Sequence, residues 1–304
     1  MKKTVNIAFF SAFIFLLTVL SSYGFRSYTE SRNRLVKRSA AWREAREKLF
    51  KKAKSFKGQV CFVIKDLEMG WEASYNPDAP VPSASIVKIP VMACCLDSVY
   101  KGELDKKEEL ALKACSRVSG SGTLKGKPIG TKVCIDRLLD LMITQSDNTA
   151  ANMIIGIFGF RELNHYFEYI GLKNTNISRF MMDMKSRARG VENYTTARDM
   201  AGLLEKIYEG KLGSKAMSSD CMELLKKQHL RDRIPKELPR DTVVAHKTGL
   251  ERHVCHDVGI VFTGNGDFLI AVLTKHNNKN SRPSKKIIAD LALVTYEYYE
   301  GMDS

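Results

Sequence analysis

The segment Pro82-Ser83-Ala84-Ser85-Ile86-Val87-Lys88 places a serine and a lysine three positions apart at the start of a predicted helix. On a helix, this spacing puts both side chains on one face, about 5 to 6 Å apart at Cβ. A serine hydroxyl is a weak nucleophile until a base accepts its proton, and a desolvated lysine can do so once its pKa falls. Ser85 and Lys88 are therefore a candidate nucleophile and base, although Ser-x-x-Lys alone also occurs by chance.

Two further short motifs lie downstream of this segment. Ser146-Asp147-Asn148 stands between two helical patterns, where a hydroxyl and a carboxamide can point into a cleft. His246-Lys247-Thr248-Gly249 closes a β-branched run, and a glycine at the end of a strand lets a substrate approach closely. Because 61 positions separate the first two motifs and 101 the second and third, chance agreement of all three is improbable.

The chain resembles the superfamily of class A β-lactamases and penicillin-binding serine transferases, whose motif set is Ser-x-x-Lys, Ser-Asp-Asn and Lys-Thr-Gly. Three longer segments carry the resemblance over roughly residues 40 to 300: SGSGTL at 119–124, LMITQSDNTAAN at 141–152 and NYTTARDMAGLL at 193–204. The resemblance implies an α/β fold of the α+β type, in which an antiparallel sheet of about five strands is flanked by terminal helices. An inserted all-helical subdomain is expected beside the sheet, with the active site between them and no cofactor.

The resemblance assigns a role to each motif residue. Ser85 is expected to be acylated, with Lys88 as its proton acceptor or relay, and Ser146 is expected to pass a proton to the leaving nitrogen. Asn148 is expected to hold the amide side chain of the substrate. The substrate carboxylate is expected beside three residues of the last motif: Lys247, Thr248 and Gly249. The backbone N–H groups of Ser85 and Leu250 are expected to form the oxyanion hole, whose donors typically contribute about 3 to 4 kcal/mol.

One segment departs from the class A pattern. Class A enzymes carry a Glu-x-x-Leu-Asn segment before the Thr-Thr stretch, and its glutamate activates the water that deacylates the enzyme. The equivalent region here is Arg179-Phe180-Met181-Met182-Asp183-Met184-Lys185, which lacks that motif. Asp183 is the nearest carboxylate and the candidate deacylation base, with two alternatives: a solvated loop residue, or Lys88 acting in both half-reactions. Glu192 is expected to be structural.

The N-terminal residues have the pattern of an export leader. Lys2 and Lys3 precede an apolar run at residues 5–20, and Ser22 and Gly24 are placed like the small residues before a signal-peptidase cut. The run is shorter than a typical membrane span of about 20 residues, but no Ala-x-Ala site follows it. Both a cleaved signal peptide and an uncleaved anchor therefore stay open. More basic residues follow the run than precede it, against the positive-inside bias.

The leader pattern and the family resemblance together imply three parts of the chain. Residues 1–24 are a signal peptide or membrane anchor, residues 25–38 a basic tether, and residues 39–304 a β-lactamase-like serine hydrolase domain. The expected location is outside the cytoplasmic membrane, in the periplasm or at the cell surface. Membrane attachment through residues 5–20 is expected if the leader is retained.

Composition narrows the classes of partner. The 304 residues carry a net charge of +14, which suits anionic surroundings such as nucleic acid, phospholipid or a cell wall. No Walker loop, zinc-type Cys/His spacing or RNA-binding aromatic signature occurs, so neither a nucleic acid nor a metal is predicted. His246, His253 and His256 lie close in sequence but complete no metal-binding pattern. The seven cysteines contain no CxxC and are expected to be mostly buried thiols, with no disulfide assigned. The chain is expected to be a monomer.

Apolar periodicity predicts the order of the secondary structure. A first amphipathic helix runs through residues 42–53, helical patterns dominate from about 85 to 228, and a last helix begins after Ser284. Two of the helical patterns cover residues 135–145 and 149–158. Strands are predicted at residues 60–64, 71–75, 242–247, 258–262 and 268–274, with a hairpin turn at Gly264-Asn265-Gly266-Asp267.

Three functions fit these features. The leading one is an exported serine hydrolase that opens β-lactam amide bonds through an acyl-serine intermediate, with slow deacylation. The second is a penicillin-binding protein of the DD-peptidase or transpeptidase type. The third is a non-catalytic wall-binding module on the same fold. The expected ligand is a β-lactam or a peptidoglycan-like peptide.

Overall fold

The computed structural model describes residues 32–277 and 280–301. The predicted leader and the first part of the tether lie outside these residues. Helix α1 covers residues 32–55, so its first turns take in residues 32–38, which the sequence assigns to the tether. The apolar positions that predict this helix are all buried: Trp42, Ala45, Leu49 and Ala53.

The strands and the remaining helices follow in chain order. The strands are β1 (Gln59–Asp66), β2 (Glu72–Tyr75), β3 (Val81–Pro82), β4 (Glu109–Ala111), β5 (Lys132–Cys134), β6 (Tyr194–Thr195), β7 (Val243–Glu251), β8 (Val254–Thr263) and β9 (Gly266–Lys275). The helices are α2 (Lys88–Tyr100), α3 (Ile135–Thr144), α4 (Asn148–Tyr169), α5 (Met184–Ala188), α6 (Ala197–Tyr208), α7 (Lys215–Lys226) and α8 (Arg282–Glu300). Short 3₁₀ turns occur at Ala84–Val87, Leu124–Gly126 and Ile234–Lys236.

Five strands form one antiparallel sheet in the order β2-β1-β9-β8-β7. The sheet contains all five predicted strands and confirms the predicted fold class. Gln59 of β1 pairs with Lys275 of β9, so the first and last strands of the chain are neighbours within the sheet. The predicted hairpin joins β8 to β9, with Thr263 opposite Gly266.

Both faces of this sheet are buried. Along β9, alternate residues from Leu269 to Leu273 pack against the helical part of the molecule. The residues between them, from Phe268 to Val272, pack against α1 and α8. Successive side chains of a strand point to opposite faces, so the sheet separates the terminal helices from the inserted helical subdomain.

The helical subdomain is inserted between β2 and β7, as expected. Its long helix α4 continues past the predicted end at Phe158, but Gly159 has φ 74° and ψ 167°. This conformation breaks the helix, so α4 consists of two consecutive helices, and glycine is the residue that adopts it at least cost. No helix in the described part of the chain is long and apolar enough to cross a membrane.

The cysteines are unpaired, and most of them are buried. All seven have free thiols. Five are buried, namely Cys61, Cys94, Cys95, Cys221 and Cys255. Cys115 is exposed and Cys134 is half-buried. The expected use of cysteine as a small apolar residue is confirmed.

Candidate active site

Ser85 lies half-buried in the 3₁₀ turn that leads into α2. The backbone N–H of Ser83 donates a hydrogen bond of 2.8 Å to the carbonyl of Asn193, which ties the turn to β6. Ala84 has φ 46°, a left-handed conformation that costs a residue with a side chain about 1 to 3 kcal/mol. The segment that carries the candidate nucleophile is therefore strained and is held in place from outside.

His256 of β8 provides a second attachment for this segment. Its Nδ1 accepts a hydrogen bond of 3.1 Å from the Thr274 N–H. Its Nε2 consequently carries the proton and donates to the carbonyl of Pro82 at 2.8 Å. Burial lowers the pKa of His256 to about 4, so the ring stays neutral and this arrangement persists over the physiological range.

Lys88, the first residue of α2, is completely buried. Its Nζ donates to the backbone carbonyl and the hydroxyl of Ser146, at 2.8 and 3.2 Å, and to Asn148 Oδ1 at 2.8 Å. Burial lowers the pKa of Lys88 to about 7, and the negative charges of Asp147 and Glu251 oppose that fall. A large fraction of Lys88 is therefore neutral near pH 7 and can accept a proton.

Ser146 lies between two amines. Its Oγ accepts from Lys88 Nζ at 3.2 Å and from Lys247 Nζ at 2.9 Å. Because these two bonds occupy both lone pairs, the hydroxyl proton is left to donate to a third partner. Ser146 has φ 57°, so its position between the amines is held against the backbone preference of a non-glycine residue.

The third motif lies within β7, because the strand extends to Glu251 instead of ending at Lys247 as predicted. Lys247 and Thr248 are buried, and Lys247 Nζ also donates to the carbonyl of Thr248 at 2.9 Å. Burial lowers the pKa of Lys247, and the neighbouring positive charge of Lys88 lowers it further. Two buried amines so close together do not both hold a proton easily.

Gly249 brings β7 against the nucleophile turn. A Cβ at this position would lie 3.2 Å from Ile86 Cγ2 and 3.3 Å from the carbonyl of Ser83, which is closer than most side chains tolerate. Leu250 follows directly and turns its side chain outward, with 47% of it exposed. Gly249 therefore allows β7 to contact the nucleophile turn. The two predicted oxyanion residues lie on these two segments, Leu250 on β7 and Ser85 on the turn.

Asp147 organises the other wall of the site. Its Oδ1 accepts from Ala150 N–H at 2.9 Å and caps α4, while its Oδ2 accepts from the N–H groups of Thr123 and Leu124 at 2.7 and 2.9 Å. A Cβ on Gly122 would lie 2.1 Å from Asp147 Cγ. Sequence reasoning gave Asp147 no role, although aspartate before a helical pattern is a strong N-cap signal.

Asn148 joins this wall to Lys88. Its backbone N–H donates to the carbonyl of Ser121 at 3.1 Å, and its Nδ2 donates to the carbonyl of Ser119 at 3.3 Å. Its Oδ1 accepts from Lys88, as described above. Ser85, Lys88, Ser146, Asn148 and the third motif thus occupy one connected region, between α2, α4 and β7.

Comparison with known proteins agrees with this geometry. A model of the beta-lactamase enzyme family matches residues 42–299. The chain belongs to this family. It is a β-lactamase-like serine hydrolase built on the family's fold.

Relatives of this family member include β-lactamases and a penicillin-complexed protein. Beta-lactamase VEB-1 of Pseudomonas aeruginosa is 27% identical over 243 residues, which cover 74% of this chain and 80% of VEB-1. A solved β-lactamase from Sphaerobacter thermophilus has a TM-score of 0.78 and 28% identity, covering 85% of this chain and 98% of its own. PBP-A also has a TM-score of 0.78, at 27% identity, covering 85% of this chain and 96% of its own. A mutant of PBP-A is solved as an acyl-enzyme complex with penicillin G.

Within this β-lactamase fold, Asp183 caps a helix. Its carboxylate accepts from the Ser186 N–H at 3.0 Å, at the N-terminus of α5. This hydrogen bond lowers the pKa of Asp183. Its hydrogen bonds to other described residues reach neither Ser85 nor Lys88. In the structure Asp183 therefore caps α5, and its role in deacylation stays a prediction.

Four charged residues join the same loop to the end of β7, and we call them the charge ring: Arg179, Arg187, Glu192 and Glu251. Arg179 pairs with Glu192 at 2.6 Å and with Glu251 at 3.1 Å. Arg187 pairs with the same two carboxylates, at 3.3 and 3.0 Å. Arg179 is 1% exposed and Glu192 8%, so Glu192 has the structural role that its position predicts.

The middle of the loop places Met181 in the core and Met182 near Asn148. Asn152 of α4 binds both backbone polar groups of Met181, accepting from its N–H at 2.8 Å and donating to its carbonyl at 3.2 Å. A Cβ on Gly120 would lie 2.6 Å from Asn148 Nδ2 and 3.3 Å from Met182 Sδ. The loop side chain beside Asn148 is therefore a thioether.

The histidines near the third motif bind protein groups. His246 Nδ1 pairs with Asp257 Oδ1 at 2.9 Å, and His253 Nδ1 lies 3.1 Å from the carbonyl of His276. His256 binds Pro82 and Thr274, as described above. Among the residues that the structure describes, no group of three or more His, Cys, Asp or Glu could hold a metal ion.

Proposed function

We propose that this protein is an exported serine hydrolase that opens β-lactam amide bonds through an acyl-serine intermediate and releases the product slowly. The main support is the convergence of Lys88 Nζ and Lys247 Nζ on Ser146 Oγ, next to the turn that carries Ser85. This arrangement supplies a base and a proton donor from buried groups beside that turn.

In the acylation step, the neutral amine of Lys88 accepts the hydroxyl proton of Ser85 as Oγ forms a bond to the amide carbon. The electron pair of the carbonyl moves to oxygen, where the N–H groups of Ser85 and Leu250 stabilise it. The C–N bond then breaks as Ser146 donates its hydroxyl proton to the leaving nitrogen. Lys88 returns the proton to Ser146 over the 3.2 Å contact, which restores both groups.

Substrate binding uses the remaining motif residues. The carboxylate of the substrate binds beside Lys247 and Thr248, and its amide side chain binds Asn148. Because an anion beside Lys247 favours the charged amine, binding raises the pKa that burial has lowered. Lys247 is therefore expected to take up a proton as the substrate enters.

Slow release follows from the loop of residues 179–193. A carboxylate that deprotonates the attacking water typically contributes about 10² to 10⁴-fold to such a step. Both candidate carboxylates of this loop have other partners, since Asp183 caps α5 and Glu192 pairs with Arg179 and Arg187. We therefore propose that Lys88 serves in both half-reactions.

A penicillin-binding protein of the DD-peptidase or transpeptidase type is the second candidate. It forms the same acyl-enzyme and resolves it differently. One observation favours it over a fast lactamase: the loop beside Asn148 carries a thioether.

A labelling time course with a fluorescent penicillin tests these candidates together. The first two candidates predict a covalent adduct on Ser85, which mass spectrometry locates and which Ser85→Ala abolishes without unfolding the protein. A fast lactamase clears the adduct within seconds to minutes, whereas slow release keeps it for longer. A wild-type protein that takes up no label would favour the non-catalytic wall-binding module, and an adduct on another residue would refute the serine mechanism.

The location outside the cytoplasmic membrane is part of the proposal. It is supported by Lys2 and Lys3 before the apolar run at residues 5–20. Retention of that run would leave the domain attached to the membrane. A reporter that is active only after export, fused to residues 1–40, tests the location, and activity of a cytoplasmic reporter in the same fusion would contradict it.

A further inference from the structure

Helix α1 carries more than half of the net charge of the protein. Its residues 32–55 contain ten Lys and Arg and two Glu, a net charge of +8, whereas the whole chain has +14. One side of the helix packs against the sheet through the four buried apolar residues described above. The charge is therefore concentrated on the side that faces solvent.

Five of the exposed basic residues of α1 form a line along the helix, which we call the basic stripe: Arg32, Arg43, Arg46, Lys51 and Lys54. Arg32, Arg43 and Lys54 are 11 positions apart, a spacing that returns to nearly the same side of a helix every three turns. From Arg32 to Lys54 the stripe is about 33 Å long. Two carboxylates of α1 are also exposed: Glu44, which pairs with Lys48, and Glu47.

The fold does not use these charges in ion pairs. The basic residues of α1 that do pair are others: Arg38 with Asp66 and Glu68, Lys48 with Glu44, and Lys52 with Asp290. None of the five stripe residues forms an ion pair with a residue in the described part of the chain. Arg46 lies 5.0 Å from the centre of the Phe50 ring, but no carboxylate among the described residues pairs with the stripe, so its charges repel one another.

The start of α1 adds exposed apolar side chains to this charge. Leu35 is 48% exposed and Val36 58%. The apolar run at residues 5–20 ends only 12 positions before Arg32, and a chain of that length spans about 40 Å at most. Exposed leucine and valine beside arginine and lysine are typical of a helix that lies on a lipid surface.

We propose that the basic stripe of α1, together with Leu35 and Val36, binds the surface of an anionic lipid bilayer. The proposal rests on the location outside the cytoplasmic membrane, but it does not depend on the chemistry at Ser85. The proximity of the apolar run favours lipid over a soluble polyanion. Bound in this way, the domain would lie along the membrane even after cleavage of the leader.

Vesicle flotation with the full chain tests the proposal. To remove the contribution of the leader, all variants carry Leu16→Asp and Leu20→Asp, which interrupt the apolar run. In this background, the stripe variant has Arg43→Gln, Arg46→Gln and Lys51→Gln. The matched control has Lys107→Gln, Lys113→Gln and Lys173→Gln, three exposed lysines of the helical subdomain that form no ion pair with a described residue.

The background protein is expected to bind vesicles of phosphatidylcholine with 30% phosphatidylglycerol and not vesicles of phosphatidylcholine alone. Each Lys or Arg near an anionic surface strengthens binding about fivefold, so the stripe variant should bind on the order of 100-fold more weakly. The control should bind like the background, and all three proteins should label with penicillin equally. Equal binding of stripe variant and control would overturn the proposal. The proposal would also be overturned if the background protein bound soluble polyphosphate but not vesicles, and if the stripe variant lost that binding to polyphosphate.

Discussion

The buried position of Lys88 makes a prediction about pH. If Lys88 in its neutral form is the base for acylation, the labelling rate follows the fraction of Lys88 that has lost its proton. With a pKa of about 7, that fraction is about one-tenth at pH 6 and about nine-tenths at pH 8. The labelling rate is therefore expected to rise about tenfold between pH 6 and pH 8.

The charge ring provides a way to move this midpoint. Glu251 raises the pKa of Lys88, so Glu251→Gln removes a negative charge that favours the ammonium form. The pKa of Lys88 therefore falls in this variant, and the labelling rate reaches its plateau at a lower pH. For a fall of about one pH unit, the rate at pH 6 would rise about fivefold, while the rate at pH 8 would hardly change.

The control for this experiment is Glu192→Gln. It changes the net charge of the ring by the same amount and removes ion pairs to the same two arginines, but Glu192 is not among the groups that shift the pKa of Lys88. The assay is the second-order rate of labelling by a fluorescent penicillin from pH 5.5 to 9. A flat profile for the parent protein, or equal shifts in both variants, would refute the assignment of Lys88 as the base.

Three other predictions address the loops and the leader. Gly122→Ala places a Cβ 2.1 Å from Asp147 Cγ at a φ of 102°, so unfolding by urea should show a loss of about 2 to 5 kcal/mol. Gly126→Ala, which meets no atom within 4 Å, should lose far less, and equal losses would contradict the packing argument. Asp183→Asn should leave the lifetime of the acyl-enzyme on Ser85 unchanged, and a longer lifetime, measured by mass spectrometry, would make Asp183 the deacylation base. Cells that produce the chain should hold it outside the cytoplasm, and protection from an external protease in spheroplasts would contradict export.

The three motifs could be found from sequence because their chemistry demands particular residue types. Few other residue types can replace the hydroxyl of Ser85, the amine of Lys88 three positions later, or the amine of Lys247 on a strand. The structure brings the two amines to the hydroxyl of Ser146. The strands and terminal helices were predictable for another reason, since their alternating or helical apolar patterns correspond to buried faces.

The supporting contacts could not be predicted because they join distant segments. The charge ring connects Arg179 to Glu251, and no local pattern distinguishes these residues from solvated surface charges. The N-cap role of Asp183 could not be predicted either, because its hydrogen bond to Ser186 depends on a short helix that apolar periodicity does not show. His256 was considered only as a metal ligand, whereas its role depends on Pro82, in another part of the chain.

The pairing of β1 with β9 has a consequence for how this chain reaches its folded state. Gln59 meets Lys275 only after 216 further residues have been made, which takes about 10 to 40 s at typical rates of synthesis. Closing so long a loop costs about 5 kcal/mol in chain entropy, and this cost comes before the contact between the two strands stabilises the fold. Until the last hairpin is made, the growing chain lacks two of the five strands, including β9 in the middle of the sheet, and β7 with Lys247 has no neighbouring strand. The sheet can therefore be completed only late in synthesis, and if the chain is exported, a translocation channel for unfolded chains would meet it before the sheet has formed.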